Sequence, residues 1–121
     1  MFELKVERTF WATHALRMYD GEMEEMHGHE WKVVTVIAAD GLDEIDVVMD
    51  FHELESIIES SVRPFVDKCL NEVPELATVN PSAERVAEYI GKQIHGRIPD
   101  HVQLLRVTVT EAPGCDASWL P

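Results

Sequence analysis

The segment from His27 to Ala39 constrains the fold more than any other stretch of the chain. It is rich in β-branched residues, which favour an extended strand, and it begins with His27-Gly28-His29. Successive side chains of a strand point to opposite faces, so the two imidazoles share one face and Gly28 leaves the other face bare. The segment therefore predicts a strand that carries two adjacent metal-binding side chains.

A third histidine ends a second extended segment. Residues 2–7 alternate between apolar and charged side chains, and the strand-like pattern continues through Phe10-Trp11-Ala12-Thr13 to His14. If the two segments pair as antiparallel neighbours, three neutral imidazoles can converge. Three histidines with an open fourth position form a catalytic zinc site, so we predict that His14, His27 and His29 bind Zn²⁺. The alternative is that they are ordinary histidines without a metal.

Polar residues separate these segments from the rest. Residues 18–26 are acidic and contain one glycine, which predicts a loop between two antiparallel strands, and Asp40-Gly41 marks a turn. Residues 45–51 form a short extended piece. Asp50 then caps a first helix whose apolar residues recur at helical spacing until near Leu70-Asn71, with a kink or the start of a new turn expected at Pro64.

A second helix and two more strands follow. The helix is expected to begin at Asn80-Pro81, with asparagine as the cap and proline in the first position, and to end at Gly96. Leu105, Val107 and Val109 then alternate with polar residues, and a turn leads to a short closing strand at residues 116–120.

The order of elements is β-β-α-α-β-β. It predicts an α+β fold in which two helices pack on one face of a four-stranded antiparallel sheet. Apolar residues also occur on the second face of the strand that begins at His27, so we expect another subunit to cover that face.

Length and charge narrow the function. The 121 residues fit a single domain, residues 1–121. The net charge of −13 argues against nucleic acid or an anionic membrane as partner, because phosphate binding needs clustered Lys and Arg. No apolar run approaches the ~20 residues of a membrane span, and the first residues lack a signal-peptide core. Cys69 and Cys115 have no CxxC spacing and are expected to be reduced thiols of a cytoplasmic protein.

Five short motifs lie in order along the chain. They are Phe10-Trp11-Ala12-Thr13-His14; His27-Gly28-His29; Val48-Met49-Asp50-Phe51-His52-Glu53-Leu54; Leu70-Asn71 followed by Asn80-Pro81-Ser82-Ala83-Glu84; and Thr110-Glu111. In this order and spacing they resemble the motifs F-x-A-[SA]-H, HGH, V-x-D-F-x-x-L, LN…NPTSE and Thr-Glu of the family of 6-pyruvoyl-tetrahydropterin and 6-carboxy-tetrahydropterin synthases.

The resemblance implies a tunnelling fold, in which trimers pair around β-barrels, usually as hexamers, with active sites between subunits. It implies a substrate, 7,8-dihydroneopterin triphosphate, whose side-chain hydroxyls are polarised by zinc while a base moves protons. Triphosphate is then eliminated, and the side chain is rearranged or cleaved. The family's glutamate at the position of Glu111 binds the pterin ring, so Glu111 is expected to anchor the substrate, unless it is a surface acid at a strand end.

The family's catalytic cysteine has no counterpart here. It usually lies a few residues before HGH, but the residue four positions before His27 is Met23, and residues 1–68 contain no cysteine. Glu24 gives the pattern Glu-x-x-His-Gly-His, which resembles a variant branch that uses glutamate instead and releases 6-hydroxymethyl-dihydropterin. Glu24 is therefore the candidate general base, unless it is one of several solvated loop acids.

The family's Asp-His pair is also incomplete. Counting back from Leu70-Asn71 in the family pattern D-H-x-x-L-N places Val66 and Asp67 at the two positions. Alternatively, Asp67 is the family aspartate and the histidine has been deleted. The histidine is missing in both cases, and Asp67 is the one remaining candidate of the pair.

Three functions follow from these patterns. We predict a zinc-dependent pterin synthase-like lyase that acts on 7,8-dihydroneopterin triphosphate or a related pterin. The first alternative is a diverged family member that binds a pterin- or purine-like ligand without the reaction, and the second is a structural homo-oligomer without metal. Few basic residues are available to receive a triphosphate, and the candidates are Lys32, Lys92, Arg97 and Arg106.

Overall fold

The computed structural model describes all 121 residues. Seven helices and strands follow one another as β1 (Phe2–His14), β2 (His27–Ala39), α1 (Phe51–Val62), β3 (Lys68–Cys69), α2 (Ala83–His95), β4 (Gln103–Ala112) and β5 (Cys115–Trp119). The strands form one sheet in the order β3-β1-β2-β4-β5. The α+β class and the predicted order are confirmed, with β3 as an addition.

The two long strands β1 and β2 pair in antiparallel fashion along their whole length. Their register places His14 opposite His27 and Ala12 opposite His29. Opposite residues of neighbouring strands point to the same face, so the three histidines share a face at one end of the sheet. The predicted pairing of the two histidine-bearing segments is confirmed.

The core lies between this face of the sheet and the two helices. Trp31 and Val33 of β2 are fully buried there, as are Val107 and Val109 of β4. The helices contribute buried residues at helical spacing, namely Leu54, Ile58 and Val62 from α1 and Val86, Ile90 and Ile94 from α2. The helices therefore cover one face of the sheet, as the sequence predicts.

The sheet has five strands, whereas the sequence predicts four. The additional strand is β3, which consists of Lys68 and Cys69 and pairs in parallel with Ala12 and Thr13 of β1. A strand of two residues has no periodicity, so the sequence pattern cannot indicate it.

The predicted start of α1 is confirmed and that of α2 is wrong. Asp50 caps α1, since its Oδ1 accepts a hydrogen bond from the backbone N–H of His52 at 2.9 Å. The cap of α2 is Ser82, whose Oγ accepts from the backbone N–H of Arg85 at 3.2 Å. Asn80 precedes the helix, and its side chain binds a different segment of the chain.

Two further expectations are corrected. A bulge between Val36 and Ile37 shifts the register of β2 against β4, so Leu104 rather than Leu105 is buried in the core. Residues 45–51 do not form the expected extended piece. They make a turn in which Oδ1 of Asp43 accepts hydrogen bonds from the backbone of residues 45 and 47.

The interruption at Pro64 is confirmed, but the expected end of the helix is wrong. α1 ends at Val62 rather than near Leu70-Asn71, and a 3₁₀ turn over Arg63–Phe65 contains Pro64. Neither helix combines the length and the apolar character that a membrane crossing requires.

Candidate metal centre

The three predicted histidines meet at the end of the sheet. His14 is the last residue of β1, His27 is the first of β2, and His29 lies two residues further on the same face. Glu111, near the end of β4, joins them. One potential ligand atom from each of the four side chains lies within 4.8 Å of all the others.

His14 is the most constrained member of the cluster. It is fully buried, its Nδ1 lies 2.7 Å from the carbonyl oxygen of Pro81, and its ring stands edge-on to Trp31. Nδ1–H therefore donates to this carbonyl, which fixes the tautomer and directs the lone pair of Nε2 into the cluster. A second hydrogen bond of this kind is typical of metal-binding histidines.

His27 and His29 present their Nε2 atoms to the same point. Nδ1 of His27 lies 2.9 Å from the carbonyl oxygen of Glu25, and Nε2 of His29 is buried without a hydrogen-bond partner. Burial lowers the pKa of His29 below its usual value, and the nearby His27 lowers it further, against the opposing effect of Glu111. His29 is thus held in the neutral form that binds metals.

The carboxylate of Glu111 lies between the three imidazoles. Its Oε1 is 2.5 Å from Nε2 of His14 and 3.8 Å from Nε2 of both His27 and His29. The contact with His14 lacks hydrogen-bond geometry, and Nε2 of His14 remains an unpartnered buried nitrogen. A lone pair facing a carboxylate oxygen at this distance requires a proton or a cation between them.

This donor set fits a zinc ion. Zinc prefers imidazole nitrogen and carboxylate oxygen in tetrahedral sites, and its catalytic sites combine three protein ligands with one open position. Three histidines whose Nε2 atoms converge supply that arrangement here. The fourth position would then be shared between Glu111 and an incoming molecule.

The sequence pattern did not assign Glu111 to this cluster. The register pairs Lys32 with Thr110 and Val33 with Val109, so the next position places Glu111 on the face of the histidines. The sequence could have indicated this position, because every second residue of a strand shares a face and Glu111 continues the series of Val107 and Val109.

Glu24 lies beside the cluster. Its Oε1 is 4.0 Å from Nε2 of His27 and accepts a hydrogen bond from the backbone N–H of Leu16 at 2.9 Å. Its side chain is 30% exposed, so the carboxylate is neither a core residue nor a freely solvated loop acid. The structure thus places Glu24 at the rim of the histidine cluster.

Asp67 is not part of the cluster. It is exposed, its φ of 58° is in the left-handed region, and its backbone N–H donates to the carbonyl oxygen of Trp11 at 2.8 Å.

The basic residues that could bind a triphosphate also lie away from the cluster. Lys32 and Arg106 occupy strand positions that face away from the histidines, Lys92 pairs with Glu88 at 3.6 Å, and Arg97 donates to Ser60 at 2.7 Å.

A sequence model of the family described as 6-pyruvoyl tetrahydropterin synthase matches residues 3–120. The chain belongs to this family. The predicted family resemblance is therefore confirmed over nearly the whole chain.

Two relatives within the 6-pyruvoyl tetrahydropterin synthase family carry different names. The dihydroneopterin monophosphate aldolase of Pyrococcus furiosus is 29% identical over 113 residues, which are 92% of each chain. The 6-carboxy-5,6,7,8-tetrahydropterin synthase of Synechocystis sp. is 30% identical over 95 residues, which are 74% of this chain and 72% of that protein. These family members are enzymes that process pterins.

Solved structures of family members share the fold. The 6-pyruvoyl tetrahydropterin synthase of Caenorhabditis elegans superposes with a TM-score of 0.80 at 19% identity, covering 100% of this chain and 97% of that one. The Plasmodium vivax enzyme, solved as a mutant in which a catalytic glutamate is replaced by alanine, gives 0.78 at 19% identity over 98% and 96% of the two chains. The tunnelling fold predicted from the motifs is confirmed.

Proposed function

We propose that this protein is a zinc-dependent lyase that cleaves the side chain of a phosphorylated 7,8-dihydroneopterin. His14, His27 and His29 hold the metal, Glu111 anchors the pterin ring, and Glu24 is the general base. The observation that carries the proposal is the position of the Glu24 carboxylate, 4.0 Å from Nε2 of His27 at the rim of the cluster. No cysteine precedes Cys69 in the chain, so a carboxylate must serve where the family usually uses a thiol.

The residues of the chain can perform this cleavage. Zinc held by the three histidines would supply Lewis-acid polarisation of the side-chain hydroxyls. Glu24 takes the proton of the second side-chain hydroxyl, and the bond between the first and second side-chain carbons breaks. The electron pair moves into the C=N bond of the dihydropterin ring, and a proton returned to the first carbon completes a hydroxymethyl product and an aldehyde.

Relatives support this choice over triphosphate elimination. The Pyrococcus furiosus relative is named an aldolase for dihydroneopterin monophosphate, and the Plasmodium vivax structure was made to replace a catalytic glutamate. Few Lys or Arg side chains lie near the cluster, which also favours a substrate with fewer phosphate charges than 7,8-dihydroneopterin triphosphate. Asp67 lies outside the cluster of its own chain, and this proposal gives it no role.

The test compares two phosphorylated substrates. Zinc-loaded protein is incubated with 7,8-dihydroneopterin monophosphate and with the triphosphate, and the products are separated by chromatography. We expect 6-hydroxymethyl-dihydropterin with wild-type protein, none with Glu24→Gln, and wild-type yield with Glu22→Gln, a matched change of an exposed acid in the same loop. Turnover by Glu24→Gln that equals wild type would remove Glu24 from the mechanism.

A second candidate function is pterin binding without chemistry. It is favoured by the missing cysteine and histidine and by the exposed position of Asp67 outside the cluster. This candidate predicts that zinc-loaded protein binds the pterin but returns it unchanged from the same incubation.

We further propose a homo-oligomer, a hexamer of two trimers, as the working form. β3 pairs with only Ala12 and Thr13, so most of the outer edge of β1 is unpaired, and β5 forms the opposite free edge of the sheet. Pairing of these edges between copies would satisfy both and close the sheets into a barrel. The free thiols Cys69 and Cys115 support a reducing, cytoplasmic location.

A further inference from the structure

Most backbone groups of the three residues that follow His14 are bound by side chains rather than by a neighbouring strand. Ala15, Leu16 and Arg17 come after the end of β1, and each uses its backbone N–H and C=O with a different partner. Backbone groups outside regular structure must find such partners, and the identity of the partners shows what the segment is built to do.

Asn71 binds the first of these residues. Its Oδ1 accepts from the backbone N–H of Ala15 at 2.9 Å, and its Nδ2 donates to the carbonyl oxygen of Ala15 at 2.7 Å. The primary amide thus pairs with one residue as a neighbouring strand would, through one donor and one acceptor.

Asn80 binds the third residue in the same way. Its Oδ1 accepts from the backbone N–H of Arg17 at 2.8 Å, and its Nδ2 donates to the carbonyl oxygen of Arg17 at 2.9 Å. Asn71 and Asn80 are the only two asparagines of the chain. Both are exposed residues, so core packing does not explain their geometry.

Leu16, between the two bound residues, holds Glu24. Its backbone N–H donates to Oε1 of Glu24 at 2.9 Å, and its carbonyl oxygen accepts from the backbone N–H of Glu24 at 2.9 Å. The carboxylate of Glu24, 4.0 Å from Nε2 of His27, is therefore fixed by a residue that is itself held on both sides. Asn80 is also followed by Pro81, whose carbonyl oxygen orients His14.

We propose that Asn71 and Asn80 are positioning residues that fix the carboxylate of Glu24 beside the metal centre by holding Ala15 and Arg17. The inference rests on the proposed function, in which Glu24 is the base. The two asparagines act through Leu16 and do not touch the substrate. Their loss therefore lowers the rate of the chemical step and leaves the metal ligands in place.

The variants Asn71→Asp and Asn80→Asp test this directly. Aspartate keeps the size and the acceptor oxygen but lacks the N–H donors, so it faces the carbonyl oxygen of Ala15 or Arg17 with a second acceptor. Gln103→Glu is the matched control, because it makes the same amide-to-acid change at an exposed residue of β4 away from the site. Asn80→Ala repeats the test without a new charge.

Two kinds of measurement are made on the zinc-loaded protein. Amide hydrogen exchange by NMR reports on Leu16, and steady-state kinetics separates kcat from KM. We expect faster exchange of the Leu16 amide in each asparagine variant and a kcat lowered by about 100-fold, the size expected when a reacting group moves by about 1 Å. KM, zinc content and far-UV circular dichroism should match the control.

A double variant separates positioning from a general structural effect. Because Asn80 acts through Glu24, Asn80→Asp should lower kcat less when it is added to Glu24→Asp, which keeps a carboxylate on a shorter side chain, than when it is made alone. The inference is wrong if the Leu16 amide exchanges as slowly in all asparagine variants as in wild-type protein. It is also wrong if the Leu16 amide exchanges faster but kcat is unchanged, while Glu24→Gln is inactive. If Glu24→Gln itself keeps full activity, the proposed base fails, and the exchange data still decide whether the asparagines hold the segment.

Discussion

At the scale of single residues, Glu111 has two possible partners. Its carboxylate lies among the imidazole nitrogens, yet a ring N–H and amino group of a bound pterin would also be bound by a carboxylate in this place. The three histidines would still offer three ligand atoms to a metal without it. The two roles therefore predict different losses when the carboxylate is neutralised.

Glu111→Gln should keep zinc and lose affinity for the ring. We expect a stoichiometric zinc content by mass spectrometry and a pterin Kd raised by roughly 10- to 100-fold, which corresponds to the ~1.5–3 kcal/mol of a hydrogen bond to a charged group. Isothermal titration with a dihydropterin measures the second quantity. Loss of zinc with unchanged pterin affinity would instead make Glu111 a permanent metal ligand.

Gly28 is required on the face of the sheet opposite the histidines. A Cβ at this position would overlap the indole ring of Trp11, which crosses the strand there and is 47% exposed. Gly28→Ala should lower the free energy of unfolding by about 1–3 kcal/mol, as overpacking does. In a Trp11→Ala background the same change should cost nothing, because the overlapping ring is gone. Gly41→Ala, at a site with open space, is the control, and urea unfolding measures all three.

The sequence predicts the convergence of the three histidines well, because strand alternation and pairing alone bring them together. His27 and His29 share a face by period, and the equal lengths of the two strands place His14 opposite them. The roles of Asn71 and Asn80 could not be predicted, because their partners lie 56 and 63 residues away in the sequence. A local pattern contains no information about such contacts, and at Asn80 it suggested a helix cap instead.

At the scale of elements, β5 pairs with β4 and also packs against α2 at a glycine of that helix. A Cβ on Gly91, which is buried in the middle of α2, would overlap the ring of Trp119 at the end of β5. Glycine inside a helix costs about 1 kcal/mol relative to alanine, so the sequence alone suggests that alanine would be better here. The approach of Trp119 reverses that preference.

Gly91→Ala should therefore destabilise the protein in spite of its better helix propensity. We expect a loss of about 1–3 kcal/mol in the free energy of unfolding and faster amide exchange along β5. Gly96→Ala is the matched control, because Gly96 caps the same helix with ordinary contacts and a φ of −76° that alanine can adopt. Stabilisation by Gly91→Ala would show that Trp119 does not pack on the helix in solution.

Long elements were predictable and short ones were not. β1, β2 and the two helices are long enough for their periodicity to identify them, whereas β3 and the bulge after Val36 depend on neighbours that a local pattern does not contain. The bulge has a visible consequence, since it buries Leu104 where the alternation favoured Leu105. Prediction thus failed where tertiary pairing overrides local pattern.

At the scale of the whole molecule, zinc should stabilise the fold. The cluster joins β1, β2 and β4, and the unfolded chain offers no such arrangement of four ligand atoms. At free zinc 100-fold above Kd, we expect the free energy of unfolding to rise by about 2.7 kcal/mol. His29→Ala should abolish this rise, and His52→Ala, which removes an exposed histidine outside the cluster, should preserve it. Thermal unfolding with zinc and with a chelator measures the difference.

The strong negative charge sets the conditions under which the proposed oligomer holds together. Each chain has a net charge of −13, so assembly through the edges of β1 and β5 brings like charges close, while the backbone pairing itself carries no net charge. The Debye length falls from about 30 Å at 0.01 M salt to about 8 Å at 0.15 M, which screens this repulsion. We therefore expect light scattering to show a larger share of hexamer at 0.15 M than at 0.01 M salt, with zinc held constant. An assembly that dissociates as salt is added would mean that ion pairs, and not paired strand edges, hold the copies together.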